Sequence, residues 1–456
     1  MSPKEVLIIG GGFAGLAAGV ELSSRGHHVT VLERRGHLGG RAYSYRDPVS
    51  GATLDNGQHI LMGCYRDTIA FLQKIGTLGK VAFQRNLSVD FVSPGEGPRD
   101  PAGKIYRFQS LPLPNPLHLI AGFLTFRGLG WRDKKSLWKL GRYFRNLNGG
   151  GASEMALLDR KSIPEFLDEM GQTPRIQERF WDPLTLAALN DRPEVSSAAL
   201  FAAVLKEALF SGRKGSRIGI PRVGLSELYV DAARDFIERK GGQFVMKAPV
   251  VKLHFRGHEF SEVELEGGRR LSADHILVTT PFTALKKILP ESLLYEDPFF
   301  SSLGKLSSSP IVAINFWFDR EVTDRPFLGL WGTKVHWIFN KGRIFGGSSP
   351  YLSLVISGAR EELHTPGPEL IETAKKELLS VLPAARSAKI LRVTVTKEPE
   401  ATLAPAVGIS KYRLSQKTPY KNFFLAGDWT DTGLPATIES AVRSANKAVE
   451  LIEQAS

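Results

Sequence analysis

A single cysteine, Cys64, stands in 456 residues. Such a chain can form no intramolecular disulfide and no thiolate metal cluster. Low thiol use also suits a reducing compartment, so the cytoplasm is the expected location. Long apolar runs are missing as well. No stretch of about 18 uninterrupted apolar residues occurs, which argues against a spanning helix. Val6–Leu22 imitates a secretory leader, yet Glu5 and Glu21 flank it, glycines puncture it and no small-residue cleavage site follows. The ten histidines show no H-E-x-x-H grouping, so no metal site is expected. With no G-x-S-x-G elbow either, hydrolase chemistry is a poor reading. Internal repeats and low-complexity tails are likewise absent.

What is present belongs to an ordinary globular protein of about two domains. Lys4–Ile9 reads as a buried strand, Ala14–Ser24 as an apolar-faced helix and His28–Glu33 as the next strand. Asp55–Met62 reads as a turn and Arg66–Ile75 as a helix. Residues 92–116 are rich in Pro and Gly and read as loops. Leu117 to Pro221 reads as mostly helical, with candidates at Lys134–Arg145, Ser162–Met170 and Ser197–Phe210, and Leu225–Lys240 follows as a further helix. Strands are expected at Gln243–Leu253, Glu259–Leu265, His275–Thr279, Pro310–Phe318, Val335–Phe339, Tyr351–Ser357 and Phe423–Ala426. Helices are expected at Thr365–Leu382 and Ala436–Gln454. This order suggests an α/β protein whose first domain is interrupted by insertions.

The chemistry-bearing signal opens the chain. Gly10-Gly11-Gly12-Phe13-Ala14-Gly15 fits G-x-G-x-x-G between a strand and a helix. Gly10 permits the tight turn, Gly12 lets backbone approach a diphosphate and Gly15 allows close helix–strand packing. The free N–H groups of the helix start, at Phe13 and Ala14, face the phosphates. Glu33 ends the next strand 18 residues after Gly15, where its carboxylate can accept ribose hydroxyls; Arg34 adjoins it. FAD is preferred to NAD because Gly39-Gly40-Arg41 follows directly and can wrap an extended cofactor from the other side. Near the other end, Gly427-Asp428 terminates a strand and offers an acceptor to a ribitol hydroxyl, though alone Asp428 reads more often as a helix or turn acid. Pro435 to Ile438 then starts a helix whose dipole can stabilise negative charge at the flavin.

Together these segments resemble the FAD-dependent amine oxidase and carotenoid desaturase superfamily. Val250, in Pro249-Val250-Val251-Lys252-Leu253, matches the strand that contacts adenine in that superfamily. The resemblance implies a Rossmann-type FAD domain interrupted by a mixed α+β, amine-oxidase-like substrate domain. The expected division is 1–90, 215–290 and 400–456 for FAD, with 91–214 and 291–399 for substrate. A narrower resemblance is to the hydroxysqualene dehydroxylases, carried by Asp55-Asn56-Gly57-Gln58-His59-Ile60-Leu61, Trp181-Asp182-Pro183-Leu184, Ile220-Pro221-Arg222-Val223-Gly224 and Gly427-Asp428-Trp429-Thr430. It implies that hydroxysqualene, a long-chain isoprenoid, is reduced to squalene with loss of water in squalene and hopanoid biosynthesis. Neighbouring squalene-pathway synthases are the partners it implies. Rival readings are a carotenoid or phytoene desaturase, an amine or protoporphyrinogen oxidase, and a flavin-stabilised lipid carrier without catalysis.

If that placement holds, Gly57, Gln58 and His59 lie near the isoalloxazine. His59 then has the convenient pKa for a general acid, with Asp55 to orient it; structural roles for both stay open. Asp182, in an apolar stretch, is the other candidate acid, since burial would favour its protonated form; a helix cap is the alternative. Trp181, Trp317, Trp331 and Trp337 are candidates to line a lipid pocket or to pack a core.

The net charge of +12 needs a partner. Leu117–Asn146 joins an apolar run to Arg127, Arg132, Lys134, Lys135, Lys139, Arg142 and Arg145 against the single acid Asp133, with Leu137, Trp138, Leu140, Tyr143 and Phe144 interleaved. This is the composition of a helix in a membrane interface, so residues 117–146 are expected to contact an anionic membrane surface from the cytoplasmic side. The bland alternative is a solvated face packed on its own core. No nucleic-acid module accompanies the charge, so no nucleic-acid partner is expected.

Overall fold

Val6, Leu7, Ile8 and Ile9 are all buried, the mark of a parallel strand covered on both faces. In the computed structural model, which describes residues 2–49, 51–95, 102–146, 152–209, 211–346 and 350–455, Glu5–Ile9 is the centre of a five-stranded parallel sheet. Its order is Gln243–Met246, His28–Glu33, Glu5–Ile9, His275–Val278, Phe423–Leu425. The chain builds outward on one side of Glu5–Ile9 and later returns to build on the other. That makes the carboxyl end of this strand a topological switch point, where open α/β sheets bind ligands. Helices Phe13–Ser24 and Ile438–Ala455 pack together on this sheet.

Two expectations change here. Gln243–Leu253 is not one strand: Gln243–Met246 ends at Lys247, whose φ is +53°, and Val250–Arg256 starts a separate antiparallel hairpin with Glu259–Leu265. The left-handed Lys247 and Pro249 break the extended run. In the 92–116 region, Ile105–Gln109 forms a strand paired with Ser88–Val92; its alternating burial is the period of a half-buried strand. The expected helix end at Phe210 and residues 96–101 lie outside the described residues.

A seven-stranded sheet forms the second body. Its order is Ile390–Leu403, Ser308–Phe318, Tyr351–Ser357, Trp337–Asn340, Phe327–Leu330, Ser88–Val92, Ile105–Gln109. All neighbours are antiparallel except Phe327–Leu330 with Ser88–Val92. The long strand Ile390–Leu403 and Phe327–Leu330 lie outside the segments expected to be strands. The first is mostly half-buried and polar, so its pattern is weak.

From Leu117 to Leu209 the chain is mostly helical. Ser162 caps Ile163–Glu169 through a reciprocal box with Glu165. Ile218–Pro221, expected within the helical stretch, instead pairs with Leu61–Met62 and Val81–Phe83. Widened π-type turns occur at Gln177–Trp181 and Leu205–Leu209, a distortion that often accompanies functional sites.

The C-terminal helix also caps an N-terminal one. Buried Glu439 accepts the backbone N–H groups of Asp67 and Thr68, at 3.0 and 2.9 Å, and the Thr68 hydroxyl at 2.8 Å. These N–H groups begin the helix Arg66–Lys74 and have no partner within it. Glu439→Ala is therefore expected to destabilise the fold by about 1–3 kcal/mol, the cost of leaving buried donors unpaired, measured by denaturant unfolding of the variant against the parent.

Candidate active site

Two glycine turns meet at the switch point. A Cβ at Gly15 would sit 1.9 Å from the Gly10 carbonyl oxygen, so this position tolerates no side chain. Gly40, at φ +60°, presses against the first turn, where an added Cβ would lie 3.1 Å from the Gly12 Cα. Gly39 N–H donates to the Gly11 carbonyl at 2.8 Å, fixing the two turns to each other. The result is a cradle bounded by bare backbone, followed by the start of helix Phe13–Ser24, which suits a diphosphate. Phe13 stacks on Tyr229 at 3.6 Å and holds this helix start in place.

Glu33 sits beside the cradle. Its Oε2 accepts Gly11 N–H and its Oε1 accepts Arg35 N–H, each at 2.9 Å, which fixes the carboxylate while leaving lone pairs for hydroxyls. From the far end of the chain, Asp428 accepts from Arg41 at 2.6 Å, and Arg41 also donates to the Ala401 carbonyl at 2.9 Å. The buried Arg413 guanidinium holds the Asp428 loop by donating to the carbonyls of Asp428, Trp429, Thr430 and Leu434. Nothing local in the sequence signals Arg413, since its partners lie 15 to 21 positions away.

One cavity of about 630 Å³ runs through these parts. Of the residues read from sequence as cofactor contacts, Gly10, Gly12, Phe13, Ala14, Glu33, Arg34, Gly39, Gly40, Arg41, Gln58, His59, Val250, Gly427, Asp428, Pro435 and Ile438 line it. Gly15 and Gly57 do not; Gly15 acts one layer back by allowing the turn to close. The cleft fits FAD: a bare-backbone cradle for the diphosphate, acceptors for ribose and ribitol, and a helix start beyond them. The same cavity continues between Phe91, Phe108, Phe180, Phe327, Trp337 and Phe339. This aromatic wall is drawn mainly from the seven-stranded sheet. Of the four tryptophans considered, only Trp337 lines it; Trp331 stacks behind Phe91 at 5.1 Å, and Trp317 stacks on Tyr351 elsewhere.

The acid candidates separate. His59 reaches the cavity wall. Burial holds its imidazole below the ordinary histidine range; nearby Asp55 opposes this, and Lys341 and Arg41 add to it. Asp55 does not line the cavity and takes no hydrogen bond from His59. Its Oδ1 accepts from the Ser44 hydroxyl and Leu225 N–H, and its Oδ2 pairs with Lys341 at 2.9 Å. Lys341 follows the strand Trp337–Asn340. Its side chain, 3% exposed against 4% for Asp55, also donates to Gln58 at 2.6 Å and lies over the Phe345 ring at 4.3 Å. Burial lowers the Lys341 pKa and the Asp55 carboxylate opposes that. The Asp55–Lys341 pair therefore sets the 55–59 loop, a role the sequence reading gave to Asp55 alone and aimed at His59.

Asp182 is a correction. It is not on the cavity wall, whereas its neighbours Phe180, Pro183 and Leu184 are. Burial, with Glu194 and Glu178 nearby, pushes its pKa from 3.8 to about 6. Burial favours its protonated form, as expected, but the residue does not line the cavity.

Two outcomes follow. Gly15→Ala is expected to give protein that purifies without bound FAD, or with a small fraction of the parent's content, read from flavin absorbance per chain. For Asp182, the folded state holds its proton more tightly than the unfolded chain. Its ionisation therefore costs stability as pH rises from about 4 to 6, a loss then constant above. Asp182→Asn is expected to be more stable than the parent at pH 7, by on the order of 1–3 kcal/mol. That gain should vanish below pH 4, measured by paired denaturant unfolding.

Comparison with known proteins agrees with this architecture. The family model of flavin-containing amine oxidoreductases matches residues 13–452. Hydroxysqualene dehydroxylase of Sinorhizobium fredii is 29% identical over 455 residues, covering 98% of each chain. The 15-cis-phytoene desaturase of Solanum lycopersicum is 26% identical over 475 residues, covering 99% of this chain and 78% of the relative. Among solved structures, an oxidoreductase from Methanosarcina mazei superposes with a TM-score of 0.76 at 18% identity, covering 98% of this chain and 100% of the other. The fold is a Rossmann-type FAD domain joined to a mixed substrate domain, and the chain belongs to the flavin-containing amine oxidoreductase family as an FAD-dependent oxidoreductase.

Proposed function

We propose that the chain reduces hydroxysqualene to squalene, the alcohol leaving as water. One observation carries this reading: the glycine-lined cofactor cleft opens without a break into an apolar, aromatic-walled cavity. The full-length likeness to hydroxysqualene dehydroxylase supports it. Such walls favour a long hydrocarbon by burial alone, about 25 cal/mol for each Å² removed from water. They also keep water from an allylic cation formed when the hydroxyl departs.

Bound FAD, in its reduced FADH2 form, would supply the hydride that replaces the hydroxyl and the proton with which the hydroxyl leaves as water. The protein's own groups hold and shield. The backbone amides after Gly12 and Gly40 would hold the diphosphate, Glu33 the adenosine ribose and Asp428 the ribitol. Pro435 to Ile438 bring a helix start to the cavity wall, where its positive end would stabilise negative charge on the bound flavin. His59 is the residue we assign to the departing oxygen. Its lowered pKa keeps it neutral near pH 7, so it offers an N–H hydrogen bond and not a full charge. Asp55 and Lys341 fix the loop that carries it.

The likeness to phytoene desaturase favours a second reading on the same cavity, in which substrate is oxidised. Anaerobic mixing of photoreduced enzyme with hydroxysqualene distinguishes them. The expected result is flavin reoxidation with one squalene formed per flavin. His59→Ala is expected to slow that step roughly tenfold, the loss of one hydrogen bond of about 1 kcal/mol to the departing oxygen. Persistently reduced flavin with unchanged alcohol would overturn the proposal, and conversion of phytoene to a conjugated polyene by the oxidised enzyme would favour the desaturase.

A further inference from the structure

The segment 111–146 carries an exposed apolar surface beside an exposed basic one. Helix Leu117–Thr125 turns His118, Leu119, Gly122 and Phe123 inward. Its outer face shows Leu117 at 52% exposure and Leu124 at 53%, with Ile120 between them. Leu111 and Leu113, just before it, are exposed as well. The next helix, Trp131–Asn146, shows Trp131 at 73% and Trp138 at 72% exposure. Scattered exposed apolar residues are ordinary, but a row of leucines and tryptophans on consecutive helices is not.

Charge is sorted on the same helices. Asp133, the one acid of Trp131–Asn146, is buried: it accepts Gly130 N–H at 2.7 Å and the Thr173 hydroxyl at 2.5 Å. Arg132, Lys135, Arg142 and Arg145 are exposed. Lys134 donates instead to the Leu124 carbonyl and braces the pair of helices, while Lys139 donates to the Glu169 carbonyl at the end of helix Ile163–Glu169. The outward face of the second helix is thus basic with protruding tryptophans, and that of the first is apolar.

We propose that this face docks on an anionic phospholipid bilayer, with Leu117, Ile120, Leu124, Trp131 and Trp138 in the interface and Arg132, Lys135, Arg142 and Arg145 on the headgroups. Charge complementarity selects the occupant: an apolar row alone would suit any partner, but exposed tryptophans flanked by cations with no carboxylate partner among the described residues suit the wet boundary of a negatively charged membrane. Among the described residues no helix is long and apolar enough to cross a membrane, so contact is from one side. The inner face of the same helix supports the idea. Phe123 packs on Phe108 at 4.9 Å and Phe180 at 4.6 Å, two residues of the cavity wall. One layer of aromatic rings thus separates the docking face from the cavity.

The test needs no turnover, so its failure is separate from failure of the proposed reaction. Five of the seven tryptophans are buried, so a change in tryptophan emission reports Trp131 and Trp138. FAD-loaded full chain is mixed with phosphatidylcholine vesicles with and without phosphatidylglycerol. Binding to the anionic vesicles alone, with blue-shifted emission and weakening in high salt, is expected. Lys135→Glu with Arg142→Glu is expected to weaken binding tenfold or more, at about 1 kcal/mol per basic residue. Trp131→Ala with Trp138→Ala is expected to remove the blue shift, with FAD content unchanged in both variants. Failure to co-sediment with anionic vesicles, or undiminished binding by both double variants, would overturn the proposal. So would a blue shift without vesicles accompanied by a doubled mass, which would give the face to a second copy of the chain.

Discussion

Everything in the cofactor cleft depends on two stretches of backbone touching. Gly12 and Gly40 approach closely because neither carries a side chain, and the Gly39–Gly11 hydrogen bond holds them there. A methyl group on Gly40 would lie 3.1 Å from the Gly12 Cα and press the turns apart, and the amides suited to a diphosphate would lose their common aim. Glu33 is tied to the same assembly through Gly11 N–H. The acid assigned to the sugar and the turn assigned to the phosphates are therefore positioned as one object.

The remaining walls are held from a distance. Arg413 keeps the Asp428 loop by its carbonyls, and Arg41 joins that loop to the second glycine turn. Lys341 comes from the end of a strand in the seven-stranded sheet, yet its partner Asp55 lies beside the cofactor turns. A buried ion pair is costly to form and costlier to break, so this one is better understood as fixing geometry than as adding stability. It couples the substrate body to the loop bearing His59.

The N-terminal βαβ unit was legible because its signals are local: an apolar run, glycines at fixed spacing and an acid at the end of the next strand. Asp428 and Pro435 could be read for the same reason. The aromatic wall was not. Phe108 lies in a Pro- and Gly-rich region where only the alternation of Ile105 to Gln109 reveals a strand, and Phe327 belongs to a four-residue strand too short for a pattern. Lys341 and Arg413 have no local signature, since what matters about them is burial against partners brought by the fold. Asp182 shows the opposite failure: its burial was inferred correctly, but no one-dimensional argument could say whether it reaches the cavity.

The late contribution of the parallel sheet has a consequence for synthesis. Phe423–Leu425 supplies its edge, and Gly427, Asp428, Pro435 and Ile438 close the cleft that Gly10 and Gly12 begin. A nascent chain emerging from the ribosome displays its phosphate cradle hundreds of residues before the opposite wall exists. Capture of the flavin must wait for that wall, so the prosthetic group acts as the final inspection of a finished chain.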